Sequence, residues 1–280
     1  MRESSNPVFR SLPKNQGGYA QFGTGAAGFG AQQVHAQPHE YLEQQQTGVS
    51  RPMTIDDVVT KTGVTLAVLS AVAVVSYFLV SANMALAMPF TLIGSLGGLA
   101  LVLIATFGRK QDNPAIVLSY GALEGLFLGA ISFVIANMWS TGGGAMIFQA
   151  IVGTLGVFFG MLVVYKTGAI RVTPKFTRMI VAGMFGVLAL MLLNLVLGLF
   201  GVGGGAGLGL RDGGMLAIGF SLLCIGLAAF SFLIDFDAAD QMIRAGAPEK
   251  AAWGVALGLT VTLVWLYIEI LRLLSYFNSD

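Results

Sequence analysis

Charge is what this sequence has least of. Of its 280 residues, 10% are Asp, Glu, Lys or Arg, against 55% hydrophobic, and the mean hydropathy is +0.78. Soluble domains carry about 25% charged residues. The shortage excludes an ordinary soluble domain and points to an integral membrane protein. The alternation of a membrane β-barrel is missing too, because the apolar runs are continuous and of helix-spanning length. A net charge of +1 gives no electrostatic footing for nucleic acid. One cysteine, Cys224, excludes an intrachain disulfide. The only histidines are His35 and His39, and no HExxH occurs, which excludes a zinc protease. No apolar span holds a lysine except Lys166 at an end, which removes a retinal Schiff base. An intramembrane aspartyl protease needs Gly-x-Gly-Asp, and the nearest match is Gly209-Leu-Arg-Asp212 in a loop. The expectation is a protein that is not an enzyme and needs no cofactor.

Two regions are present. Residues 1–52 are rich in Gly, Gln, Ser and Pro and read as a disordered cytoplasmic tail without a secretory leader. Residues 53–280 read as an all-α membrane domain of seven spans, at about 64–81, 87–107, 114–138, 144–166, 178–200, 213–235 and 252–277. Thr54-Ile-Asp-Asp57 has the form of a capping box and predicts a short helix before the first span. The composition of AADQMIRA can carry the sixth helix on to about residue 245. Ten Lys and Arg fall in loops on one side and only Arg211 on the other. That bias predicts a cytoplasmic N-terminus and an external C-terminus; the expected location is the plasma membrane. Small residues four apart, at Gly94/Gly98, Gly121/Gly125/Gly129, Gly156/Gly160 and Gly254/Gly258, predict close helix packing. The run GGGAGLG at 203–209 follows no strand and reads as a flexible external loop.

The stretch Phe230–Phe277 holds most of the chemistry. Ionisable groups within spans are few: Glu124 in the third, Asp235 closing the sixth, and Glu269 with Arg272 in the seventh. A charge at the bilayer centre costs about 2.5–3.5 kcal/mol on insertion scales, so each such residue is a functional candidate. Asn194 adds a polar group to the fifth span; Asp237 and Asp240 sit at a helix end. Two readings of Glu269 stand. It pairs with Arg272 three residues on along one helix face, or it faces the bundle interior and couples to acids on the sixth helix. Coupled carboxylates share a proton or offer hard oxygen ligands to Ca²⁺, so Asp235 and Glu269 form a candidate weak Ca²⁺ site. Asp235 lies opposite Glu269 only if the connection is centred near residue 252. A turn at Gly246–Pro248 offsets them by about 15 Å.

The motifs together resemble the Bax-inhibitor family, in its bacterial YccA-like branch and the actinobacterial form of it. They are NPVF near the N-terminus, MTIDDVVTKTG, EGLFLGAIS, KTGAIRVTPKFTR, FLIDFD and WLYIEILRLL. The resemblance implies seven helices with the last one central. It also implies a pH-sensitive Ca²⁺ leak controlled by an acid pair on the last two helices. Carried over, the pair is Glu269 with Asp235 or Asp237, and Arg272 stands where the family has asparagine. Glu124 is a further candidate for the ion pathway. The alternative is a non-conducting regulatory protein that binds other membrane proteins, such as a quality-control protease. A secondary transporter would show inverted repeats and broken helices, and neither is clear.

Overall fold

The computed structural model describes residues 51–139 and 143–278, and within these the chain forms seven long helices. They are α1 (Ile55–Ala82), α2 (Ala87–Phe107), α3 (Pro114–Trp139), α4 (Gly143–Thr167), α5 (Pro174–Leu199), α6 (Met215–Arg244) and α7 (Ala252–Phe277). All seven are long and apolar enough to cross a membrane. Helices suit the bilayer because they satisfy their backbone hydrogen bonds within the segment. The expected disordered tail, with His35 and His39, lies outside the described residues except for Arg51 and Pro52.

Local sequence sets several boundaries. The capping box at α1 is present: Thr54 Oγ1 accepts from the Asp57 amide, and the Asp57 carboxylate accepts from the Thr54 amide. Nothing between Asp57 and the first apolar run breaks a helix, so the expected short helix and first span are one element. Thr173 caps α5 with Pro174 behind it, which starts that helix four residues before the expected 178. The α6 helix runs past Asp235 to Arg244, as its composition allows.

The last helix is the axis of the bundle. Its apolar window is 67% buried, against 11% for α4 and for α5. Leu259, Leu263 and Leu266 pack with Phe232 and Phe236 of α6 and Phe158 of α4. Leu257 meets Ala105 of α2 and Tyr120 of α3. Val264 meets Leu69 of α1, and Trp265 joins the cluster around Val187 of α5. Each of the other six helices thus shares a core cluster with α7.

The small-residue steps have divided uses. On α3 they bring α1 close, since a Cβ added at Gly125 would lie 2.5 Å from the Leu69 carbonyl oxygen. Gly156 and Gly160 meet nothing within 4 Å, and neither does Gly258. Packing is therefore the role of the α2 and α3 glycines, and not of those on α4 or of Gly258.

Arg51 and Pro52 are part of the ordered fold. The Met53 amide donates to the Ala247 carbonyl at 2.7 Å, and the Glu249 amide donates to the Arg51 carbonyl at 2.9 Å. Arg51 grips Asp57 with two hydrogen bonds, of 2.6 and 3.0 Å, and meets Glu249 at 3.1 Å. Lys61 donates to the Glu249 carbonyl at 2.7 Å. The start of the ordered chain is thereby strapped to the α6–α7 connection. This end of the bundle, which also carries Arg109, Lys110 and Lys250, is called the basic end below.

Candidate functional site

The α6–α7 connection decides which acids meet. It turns through Ala245–Ala251, with Gly246 at φ 68° and a 3₁₀ turn at Glu249–Ala251. In this register Asp235 faces Thr262, whose hydroxyl donates to Asp235 Oδ2 at 2.8 Å. Glu269 lies seven residues beyond Thr262, about 10 Å further along α7. The structure therefore does not bring Asp235 to Glu269, and the expected shared carboxylate site, for a proton or for Ca²⁺, does not form. The turn lies near residue 248, not 252, and that displacement is the reason.

Asp235 opens onto space instead. It lines a cavity of about 380 Å³ at the basic end, between the α2–α3 connection, α6 and the first turns of α7. Arg109, Gln111 and Asp112 stand on one side, and Gly254 and Gly258 lie on α7. Lys250 and Asp112 form an ion pair of 3.3 Å nearby. The Gly254/Gly258 step, beside Ala251 and Val255, thus gives the cavity room.

Glu269 is enclosed. It is 2% exposed and held by two guanidinium groups. Arg272 Nη1 donates to Oε1 at 2.9 Å. Arg211 donates through Nη1 to Oε2 at 3.3 Å and through Nη2 to Oε1 at 3.2 Å. Arg211 also stands 5.5 Å from the centre of the Phe220 ring, within cation–π range. It arrives on the glycine-rich α5–α6 connection, where seven glycines between Gly201 and Gly213 take positive φ. Asn194 pins that connection by accepting from the Leu208 amide at 2.7 Å. Two guanidinium groups thus flank the one buried carboxylate at this point.

The remaining candidates lie apart. Glu124 is 8% exposed and points at α2, where a Cβ at Gly98 would sit 2.5 Å from its Oε1. Asp237 accepts from Gln241 at 2.6 Å on the outer side of α6. Asp240 pairs with Arg244 at 2.8 Å and accepts from Tyr165 at 3.3 Å. Among the described residues no group of three or more His, Cys, Asp or Glu gathers to hold a metal ion.

Against known protein families, residues 6–279 match the Bax inhibitor 1 like family. The chain belongs to that family. No individual curated protein matches it. Family and seven apolar helices together make it a multipass membrane protein in contact with the lipid bilayer. In this Bax inhibitor 1 like chain, sequence reasoning placed Glu269 and Asp235 inside the bundle but missed Arg211 and Thr262. The signal for Arg211 was there: by sequence it is the only cation in the loops opposite the basic end, on a glycine-rich connection. Thr262 carries no such mark, because buried threonines recur along α7.

Proposed function

We propose that this protein is a passive cation leak of the plasma membrane, with Ca²⁺ as the natural permeant ion and a pathway along α7. The observation that carries this reading is Asp235, a carboxylate on α6 that lines the open cavity beside Gly254 and Gly258. A hard oxygen donor in a polar mouth attracts a hydrated divalent cation. Glu269, Arg211 and Arg272 form the barrier at the far end, and conduction requires Arg211 to leave. With the basic end in the cytoplasm, the barrier faces outward.

The pH response follows from charge. Protonating Asp235 removes the anion at the mouth, so cation flux falls on acidification. Thr262, Thr106, Arg109, Gln111 and Asp112 are the polar and charged groups that share its surroundings. Membership of the Bax inhibitor 1 like family supports the same reading, whereas the resemblance to its YccA-like branch supports the second reading below. Ca²⁺ flux into proteoliposomes tests it across pH. Flux that drops in Asp235→Asn and loses its pH dependence supports the reading. Equal flux in wild type and in Asp235→Asn with Glu269→Gln, at every pH, removes it. A second reading, a non-conducting regulator that binds other membrane proteins, is favoured by α5. Among the long helices that helix packs mainly on α6, and it leaves Phe185, Leu192 and Leu195 exposed. A fixed absence of flux, with capture of a membrane protease lost on substituting those residues, supports the second.

A further inference from the structure

A second cavity, of about 560 Å³, opens sideways between α1 and α4. Val74 and Phe78 of α1 and Ile151 and Leu155 of α4 stand at its rim, all of them exposed. Its floor is built by Leu128 and Ser132 of α3 and by Val264 and Tyr267 of the central α7. Toward the basic end the walls converge, where Leu66, Val157 and Phe158 pack on one core cluster. Toward the other end α4 closes on α3 through Ala136 and Met146. The opening is lateral and lies between two helices that face lipid.

The polar atoms of the floor already have partners. The Ser132 and Tyr267 hydroxyls bond each other at 2.8 Å, and Thr154 donates to the Ala150 carbonyl at 2.7 Å. The rest of the lining is apolar apart from the Ser70 and Tyr77 hydroxyls on the α1 wall. Along α1 the lining runs from Leu66 to Phe78, about 18 Å, an elongated shape that suits an extended chain. The volume falls within the size range of small-ligand sites, about 300–1,000 Å³.

We propose that this groove is a lipid site, in which one acyl chain of a membrane phospholipid enters between α1 and α4 and lies against Val264 and Tyr267. The bilayer supplies the chain at the depth of the opening. The floor asks nothing of the ligand but apolar contact. An occupied groove keeps the Ser132–Tyr267 bond dry and braces the face of α7 that lies away from Glu269. The site stands independently of any ion conduction.

The test is photolabelling in vesicles of phosphatidylcholine in which a fraction carries a diazirine near the end of one acyl chain. After irradiation, digestion and mass spectrometry, peptides holding Leu128–Ser132 and Val264–Tyr267 are labelled in the wild type. In Ser70→Trp with Ile151→Trp, which fills the mouth, labelling of those floor peptides falls at least about five-fold. Labelling of the outward Phe185 peptide of α5 stays unchanged. Should the double variant not fold, Ile151→Phe alone lowers floor labelling by about half. Floor peptides unlabelled in the wild type, or labelled equally in a folded filled variant, overturn the proposal.

Discussion

The two ends of the α6–α7 pair treat a buried carboxylate in opposite ways. At the basic end Asp235 has one neutral partner, Thr262, and an open cavity beside it. Towards the other end Glu269 has two arginines and almost no exposure. A neutral hydroxyl leaves a carboxylate free to meet an ion. Two guanidinium groups repay its desolvation but commit it to structure. One chain can therefore hold an acid that opens onto a cavity and a locked one on adjacent helices, and only the neighbours tell them apart.

Removing the lock breaks the comparison most severely. Glu269→Gln leaves Arg211 and Arg272 facing each other without an anion, and is expected to cost about 3–5 kcal/mol. A markedly lower thermal unfolding midpoint in detergent checks it, and an unchanged midpoint would show that the clasp contributes nothing. Next is the packed glycine step. Gly125→Ala puts a methyl against the Leu69 carbonyl and is expected to lose about 1–3 kcal/mol, read as a lower midpoint in the same assay. The strap comes third. Glu249→Gln weakens the contacts with Arg51 and Lys61, which are partly exposed, so about 0.2–1 kcal/mol is expected. Faster proteolysis near Pro52 would report it.

The smallest effects sharpen the contrast. Asp235→Asn keeps an acceptor for Thr262, so stability is expected to move by less than about 1 kcal/mol while Ca²⁺ flux falls. A loss of stability as large as that of Glu269→Gln would make the two acids equivalent and undo the distinction. Gly258→Ala meets empty space and is expected to raise stability by about 0.5–1 kcal/mol, the reverse of Gly125→Ala. The two glycine motifs look alike in sequence, and only the sign of this pair of effects separates them.

Legibility differed by type of feature. The bounds of α2 and α7 could be read almost residue for residue, because lipid-spanning helices announce themselves by length and hydropathy. The α1 cap was legible in Thr54 and Asp57, since a capping box is a local pattern. The pairing of Asp235 with Glu269 was not, because a three- or four-residue change in the centre of one turn moves one helix past another by about 10 Å. Arg211 was hidden for the same kind of reason. It joins Glu269 across 58 positions of sequence, through a glycine connection whose path no local pattern prescribes.

Composition alone made this a helical membrane protein, and the scarcity of intramembrane charge alone picked out Glu124, Asp235 and Glu269. Those conclusions rest on transfer energies, which each residue carries wherever the chain goes. Which acid faces a cavity, which is clasped by arginines and which rests on a glycine of α2 came only from the fold. Those outcomes depend on distances between helices, and such distances are fixed by the turns and by packing around α7.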